Sequence, residues 1–316
     1  MTTVSGAPDA RAAAAHTAAR PTGLYLPPLA HPVRTVGQRT FDFSRQIAVM
    51  AIVNRTPDSF YDRGATFALD KAIEAGISAA NEGADWVDVG GVPFAPGPEL
   101  AMEAERDRVI PVIEGLSAAS DVVISVDTFR AEVAAAAIRA GASVINDTTG
   151  IREPRLADVV ADSEATLVIT HSLATPRQSH PRPQYADVAG EVAEFLQRRV
   201  DFALSRGVRE DRIVVDPGHD LNKNTRQTLE LTRRLGEVAA LGFPTLAAVS
   251  NKDFVGESLG RDKPDRLEGS LAAATVSVML GARIVRMHQV RASVDAMRMV
   301  EAILGWRQPV SAVHNV

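Results

Sequence analysis

The stretch Gly141-Ala142-Ser143-Val144-Ile145-Asn146-Asp147 decides the fold. It follows an Ala-rich run, where a glycine can end a helix in the left-handed conformation. It then passes through a short Val/Ile segment and stops at polar residues. The same phrase recurs, with Gly83-Ala84 ahead of Trp86–Val89 and Gly281-Ala282 ahead of Arg283–Met287. Five more apolar runs complete the pattern: Ile47–Val53, Val122–Val126, Thr166–Ile169, Ile213–Val215 and Thr245–Val249. A loop and then helix-periodic sequence follow each strand-like run. Strands alternating with helices imply a parallel sheet with right-handed crossovers, and continuous apolar runs suit strands covered on both faces. Eight units predict one closed (β/α)8 TIM barrel.

A length of 316 residues allows one large domain or two ordinary ones. The strand count selects one, spanning 46–316, with 1–45 as a flexible tail and lead-in. The first 24 residues, rich in Ala, Thr, Pro, Gly and Arg, read as a disordered tail. Their apolar stretch Ala12–Ala15 is shorter than the roughly 7–15 residues of a secretory core. The run Leu271–Leu280 is broken by Thr275 and Ser277 and falls short of the roughly 20 residues that cross a membrane. With 34 basic against 39 acidic residues, net charge −5, the chain offers no field for nucleic acid. No cysteine means no disulfide, no thiolate nucleophile and no Cys-ligated zinc, which fits a reducing compartment; the cytoplasm is the expected location.

Barrels of this kind place their chemistry at the C-terminal strand ends. Those positions hold Asn54, Gly90-Gly91, Asp127, Asn146-Asp147, His171, Asp216, Ser250-Asn251-Lys252, and Arg286 with His288. Structural roles compete for several of them. Asp127 and Asp216 can form turns, Asp147 can cap a helix, and Arg286 can pair with a neighbouring Asp. Arg286 and His288, two apart, are expected to face the same space. His16, His31, His180 and His314 read as surface residues, so no His-cluster metal site is expected. A magnesium held by a ligand's phosphates and one protein oxygen remains compatible. Lys, Arg and His gathered with Asn54 suit a phosphate or diphosphate. Two carboxylates and an amide suit the guanidine-like edge of a flat heterocycle. Together they describe a heterocycle carrying a diphosphate.

Ala51-Ile52-Val53-Asn54-Arg55-Thr56-Pro57-Asp58-Ser59-Phe60, followed by Asp62, resembles the first loop signature of the dihydropteroate synthases. Asp88-Val89-Gly90-Gly91, Ser125-Val126-Asp127-Thr128, Ile145-Asn146-Asp147, Asp216-Pro217-Gly218, Ser250-Asn251-Lys252 and Arg286-Met287-His288 resemble that family's later motifs, in its order. The resemblance implies condensation of 6-hydroxymethyl-7,8-dihydropterin diphosphate with p-aminobenzoate. It implies that Asp127, Asn146, Asp216 and Lys252 hold the pterin, and that Asn54, Arg286 and His288 hold the diphosphate, Asn54 beside Mg2+. Asp127, Lys252 and Asn54 are the catalytic candidates. It also implies a homodimer, for which the stretches from about Gly269 to Gly281 and from Ala292 to Leu304 offer small-residue faces; packing on the chain's own strands is the alternative.

The departures are concentrated. Where the family has Glu-Ser-Thr-Arg-Pro-Gly, this chain has Val92-Pro93-Phe94-Ala95-Pro96-Gly97, losing polar groups and gaining two stiff prolines. Ser-Arg-Lys-Ser becomes Ser250-Asn251-Lys252-Asp253, and Asp253 is expected to repel a benzoate. Asp220-Leu221-Asn222 replaces Gly-Phe-Gly, and Thr170 stands in place of Met. The ring-binding side survives while the p-aminobenzoate side is rewritten. Losing one positioned donor slows a reaction by about 10²- to 10³-fold, so a pterin-binding homologue with weak or lost condensation is expected. The alternatives are an active synthase rescued by Arg55, Arg63 or another chain, and a non-catalytic binding or regulatory barrel. A pterin-linked methyl transferase is countered by Thr56-Pro57-Asp58-Ser59-Phe60 and the Arg286/His288 pair.

Overall fold

The computed structural model describes residues 26–54, 64–178, 182 and 184–314. An antiparallel hairpin, β1 (Val33–Val36) and β2 (Arg39–Asp42), comes first. Then β3 (Ala48–Asn54), β4 (Trp86–Gly90), β5 (Val123–Asp127), β6 (Val144–Asp147), β7 (Thr166–Thr170), β8 (Ile213–Asp216), β9 (Thr245–Ala247) and β10 (Ala282–Met287) close into a parallel barrel, with β10 beside β3. The helices around it are α1 (Gly64–Asn81), α2 (Met102–Ala119), α3 (Ala131–Ala140), α4 (Arg155–Ala161), α5 (Val188–Ser205), α6 (Thr225–Arg233), α7 (Leu235–Ala239), α8 (Asp253–Leu259), α9 (Leu267–Met279) and α10 (Val290–Ile303). The eight strands fall on the eight apolar runs. None of the helices among the described residues is long and apolar enough to cross a membrane.

The repeated Gly-Ala phrase acts as its sequence predicts. Gly141 adopts φ 116° after α3 and donates its N–H to carbonyls of the last turn; Gly83 (φ 98°) and Gly281 (φ 117°) turn the chain in the same left-handed region. Alternation along the strands then sorts side chains into two cores. One face, including Ile124, Val126, Ile145, Leu167 and Val215, packs on the helices. The other fills the barrel with Met50, Trp86, Val123, Val144, Val168, Val214, Leu246 and Ile284.

The lead-in expected to be flexible up to residue 45 differs over its described part. The β1–β2 hairpin delivers Phe41 and Phe43, stacked with centroids 5.7 Å apart, onto the barrel's lower end, where Phe41 meets Trp86 edge-on at 5.9 Å. Arg34 Nη1 donates to the Ile213 carbonyl (2.6 Å), and Arg283 Nε donates to that of Phe43 (2.8 Å). An uncovered lower end would expose Trp86 and its neighbours. Burying each Phe contributes about 1.5–3 kcal/mol, which offsets the ordering of a short hairpin. The first 25 residues, including the expected tail and His16, lie outside the described residues.

Candidate functional site

Every second residue of a strand faces the barrel axis, and the last inward positions are Asn54, Gly90, Asp127, Asn146, Thr170, Asp216, Ala248 just beyond β9, and Arg286. All but Gly90 line one cavity of about 250 Å³, together with Lys252, Val92, Pro93, Phe94, Pro176, His219 and Leu221. Gly90 makes room for Asn54: a Cβ there would lie 2.9 Å from Asn54 Oδ1. The structure thus brings together Asn54, Asp127, Asn146, Asp216, Lys252 and Arg286. His288 does not line that cavity, although it lies near enough to Arg286 and Lys252 to feel their charge. Its side chain is exposed, with Nδ1 3.0 Å from Ser250 Oγ, because β10 ends at Met287 and strand alternation does not carry to position 288.

Beneath these groups lies Asp88, fully buried and not singled out from sequence as a site residue. It accepts hydrogen bonds from Ser125 Oγ (2.6 Å), Asn146 Nδ2 (3.0 Å) and Arg286 Nε (2.7 Å). With its amide nitrogen so engaged, Asn146 leaves Oδ1 without a partner among the described residues. Arg286 Nη2 also approaches Asp127 Oδ2 (3.6 Å), so the sequence alternative of an Asp pair for Arg286 holds. The inward parity of Asp88, two before Gly90 and two after Trp86, was the available signal.

Burial, with Asp88 adding repulsion, pushes the Asp127 carboxyl up to about 7 against the opposing pull of Arg286. Burial likewise raises Asp216 to about 6, although its Oδ1 accepts the Gly218 N–H at 2.7 Å. Lys252 is held below the usual ammonium range, chiefly by burial. Near neutral pH these carboxyls ionise readily once a cationic or N–H-rich ligand replaces the lost water.

Asp147 and His171 have outward parity and shape loops instead. Asp147 accepts from Thr149 N (2.8 Å), Thr149 Oγ1 (2.6 Å) and Ile151 N, fixing the turn through Gly150 and Ile151 at positive φ. His171 sits edge-on to Phe195 at 4.8 Å and receives Lys223 Nζ at 2.9 Å. Lys223 donates further to the carbonyls of Gly218 (2.9 Å) and Leu221 (3.0 Å), and burial lowers it to about 7.

The rewritten loop forms the cavity's apolar roof. Gly97 N donates to Arg177 O (3.0 Å) and Arg177 N to Phe94 O (3.2 Å), zipping the loop after β4 to the loop after β7. The Arg177 guanidinium reinforces the zipper through Nη1 to Ala95 O (2.7 Å) and Nε to Pro98 O (3.0 Å). A Cβ on Gly97 would come within 1.9 Å of Arg177 Nη2, so glycine permits this approach. Arg177 belongs to no motif and left no sequence signal. Asp253 departs from its expected role: it is 75% exposed, pairs with Arg266 Nη1 at 3.1 Å, and does not line the cavity. As the first residue of α8 its side chain projects outward, and Arg266 neutralises it.

Among the described residues no cluster of three His, Asp or Glu side chains could hold a metal. One cavity-lining amide oxygen, that of Asn54, fits a magnesium whose remaining ligands come from phosphates and water. Arg55, Arg63, Thr56-Pro57-Asp58-Ser59-Phe60 and Asp62 lie outside the described residues, as does His180. His31 and His314 are exposed.

Residues 50–288, the span from β3 to the end of the barrel, match the family described as pterin binding enzyme. Inactive dihydropteroate synthase 2 of Mycobacterium leprae is 45% identical over 85% of this chain and 94% of its own length. Dihydropteroate synthase of Xanthomonas albilineans, solved with 4-aminobenzoic acid, superposes with a TM-score of 0.80 at 39% identity, covering 86% of this chain and 98% of that one. A second structure of the Xanthomonas enzyme, in complex with 7,8-dihydropteroate, gives 0.78 at 38% with the same coverage. With motifs, barrel and cavity in agreement, the chain belongs to the dihydropteroate synthase family.

Proposed function

We propose that this chain binds a pterin diphosphate at the barrel mouth and that its condensation with p-aminobenzoate is weak or lost. One observation carries the reading: Asp127, Asn146, Asp216 and Lys252 line a single cavity whose roof, Val92-Pro93-Phe94, contributes no charge. In this assignment the Asp216 carboxylate and the unpartnered Asn146 Oδ1 accept hydrogen bonds from the N–H groups of the ring's guanidine-like edge. Asp127, poised near neutrality, favours positive charge on the ring as the diphosphate departs. Asn54 and Arg286 face the diphosphate, and Asn54 would hold magnesium, which would supply charge neutralisation for that leaving group. Arg286 is already shared between Asp88 and Asp127, which leaves the anion side short of free cations. The family description and the name of the Mycobacterium leprae relative support the same reading.

A working synthase is the second reading, favoured by the complete ring-binding set; Arg55 or Arg63 would then have to supply the missing cation. Exposed Val276, Met299 and Ile303 on α9 and α10 support a homodimer through that face. Lack of cysteine supports a cytoplasmic setting. Calorimetric titration with the pterin diphosphate and Mg2+ tests the binding assignment. Saturable binding that weakens in Asp216→Asn is expected; no binding at millimolar ligand would leave only the scaffold reading.

A further inference from the structure

We infer that the β7–β8 wall of the cavity is a polar subsite, made by the Thr170 hydroxyl and the His219 imidazole, which selects a pterin carrying an additional lactam edge. This rests on the pterin reading above. Thr170 is 1% exposed and His219 fully buried, and both line the cavity. Thr170 Oγ1 and both ring nitrogens of His219 have no hydrogen-bond partner among the described residues. Buried polar atoms are as a rule matched by a protein group, an ordered water or a ligand, and these line a cavity able to hold a ligand.

The two side chains belong to one wall. Thr170 pairs in register with Asp216, and its Cγ2 lies 3.4 Å from where a Cβ on Gly218 would sit, beside His219. Their neighbours His171 and Ser172 do find partners, His171 with Lys223, and Ser172 with Asn222 (3.1 Å) and the Ala174 carbonyl (2.8 Å), while Thr175 Oγ1 and Asn222 Nδ2 are also unmatched among the described residues. Phe254 packs against the His219 ring at 6.2 Å and 28°, on an apolar face that offers neither ring nitrogen a hydrogen bond.

The chemistry of the pair defines the class of ligand. Burial, helped by Lys223 and Lys252, keeps the imidazole neutral, down to about 3, so it offers one donor and one acceptor and no charge. A threonine hydroxyl also offers both. A carbonyl beside an N–H, the lactam of an oxo-substituted pterin, matches that pair, whereas a phosphate, which only accepts, would use the donors and leave the acceptors of the wall unmatched. An apolar Met, which the family resemblance places at position 170, would not make this distinction.

The test titrates the protein with pterin, 6-oxopterin and 7-oxopterin, following ligand fluorescence, and repeats the series with Thr170→Val and His219→Phe. At least one oxopterin should bind about tenfold tighter than pterin to the unaltered protein. The ratio within each variant should shrink to about threefold or less. Thr170→Val preserves shape, so it reports even where His219→Phe fails to fold. Equal affinity for all three pterins, or a preference unchanged by Thr170→Val, overturns the subsite while leaving pterin binding intact. Failure of every pterin to bind overturns the pterin reading and the subsite with it.

Discussion

The floor and the roof of the cavity are built on opposite principles. The floor is a set of strand ends locked from below: Asp88 takes three hydrogen bonds and so orients Asn146 and Arg286. The roof is a proline-bearing loop held by backbone hydrogen bonds and by Arg177 on two carbonyls. The floor keeps the polar groups to which we assign recognition of a ring, while the roof gives the cavity cover without charge. On the proposed reading, the strands retain ligand recognition while the loop lacks catalytic groups.

The largest effect should come from attacking the floor's support. Asp88→Ala leaves Arg286 without its nearest carboxylate and strands Ser125 and Asn146; removing one partner of a buried pair costs about 3–5 kcal/mol. Urea unfolding should show a loss at the low end of that range, since Asp127 remains beside Arg286. A loss under ~1 kcal/mol would mean that the floor does not depend on Asp88.

Asp216→Asn should separate recognition from stability. Hydrogen bonds to a charged group contribute about 1.5–3 kcal/mol, so pterin affinity should fall at least about tenfold while the fold persists. The pH dependence has a definite sign. The folded carboxyl titrates near 6 against an ordinary 3.8, so the folded state holds its proton more tightly than the unfolded chain. Between those values the unaltered protein should lose stability relative to Asp216→Asn as pH rises. Its affinity for the ring's N–H edge should instead rise through pH 6 as the acceptor ionises. Parallel slopes for the two quantities would contradict the assignment.

The roof should yield smaller changes. Arg177→Ala removes two side-chain donors, and about 1 kcal/mol of loop stability should appear as ligand release about fivefold faster. Replacing Val92–Pro96 with Glu-Ser-Thr-Arg-Pro should raise pyrophosphate release if the loop is the main defect. Smallest of all, Asp253→Ser should leave affinity within about twofold, because this exposed, Arg266-paired carboxylate stays clear of the ligand.

The same contrast governs what the sequence discloses. Strand period and the Gly-Ala turns expose the barrel, since burial on both faces leaves Val and Ile runs. Polar strand ends point to the mouth, but only parity separates Asp127 and Asp216, which enter the cavity, from Asp147 and His171, which do not. Asp88 was readable by the same alternation. His219 and Arg177 were not, because neither lies on a periodic element and their positions depend on how three loops meet. The Thr40-Phe41-Asp42-Phe43 alternation beside Gly37 marks the hairpin in retrospect, but a strand pair this short gains its stability from the barrel end it covers.

Pyrophosphate release from the protein saturated with pterin diphosphate and Mg2+, before and after addition of p-aminobenzoate, tests the central claim most directly. The account predicts a saturable complex with release at least about 10²-fold slower than a typical enzyme turnover of about 10 s⁻¹, and little acceleration by p-aminobenzoate. Release at ordinary enzymatic rates, dependent on p-aminobenzoate, would contradict it and establish a working synthase beneath an apolar roof.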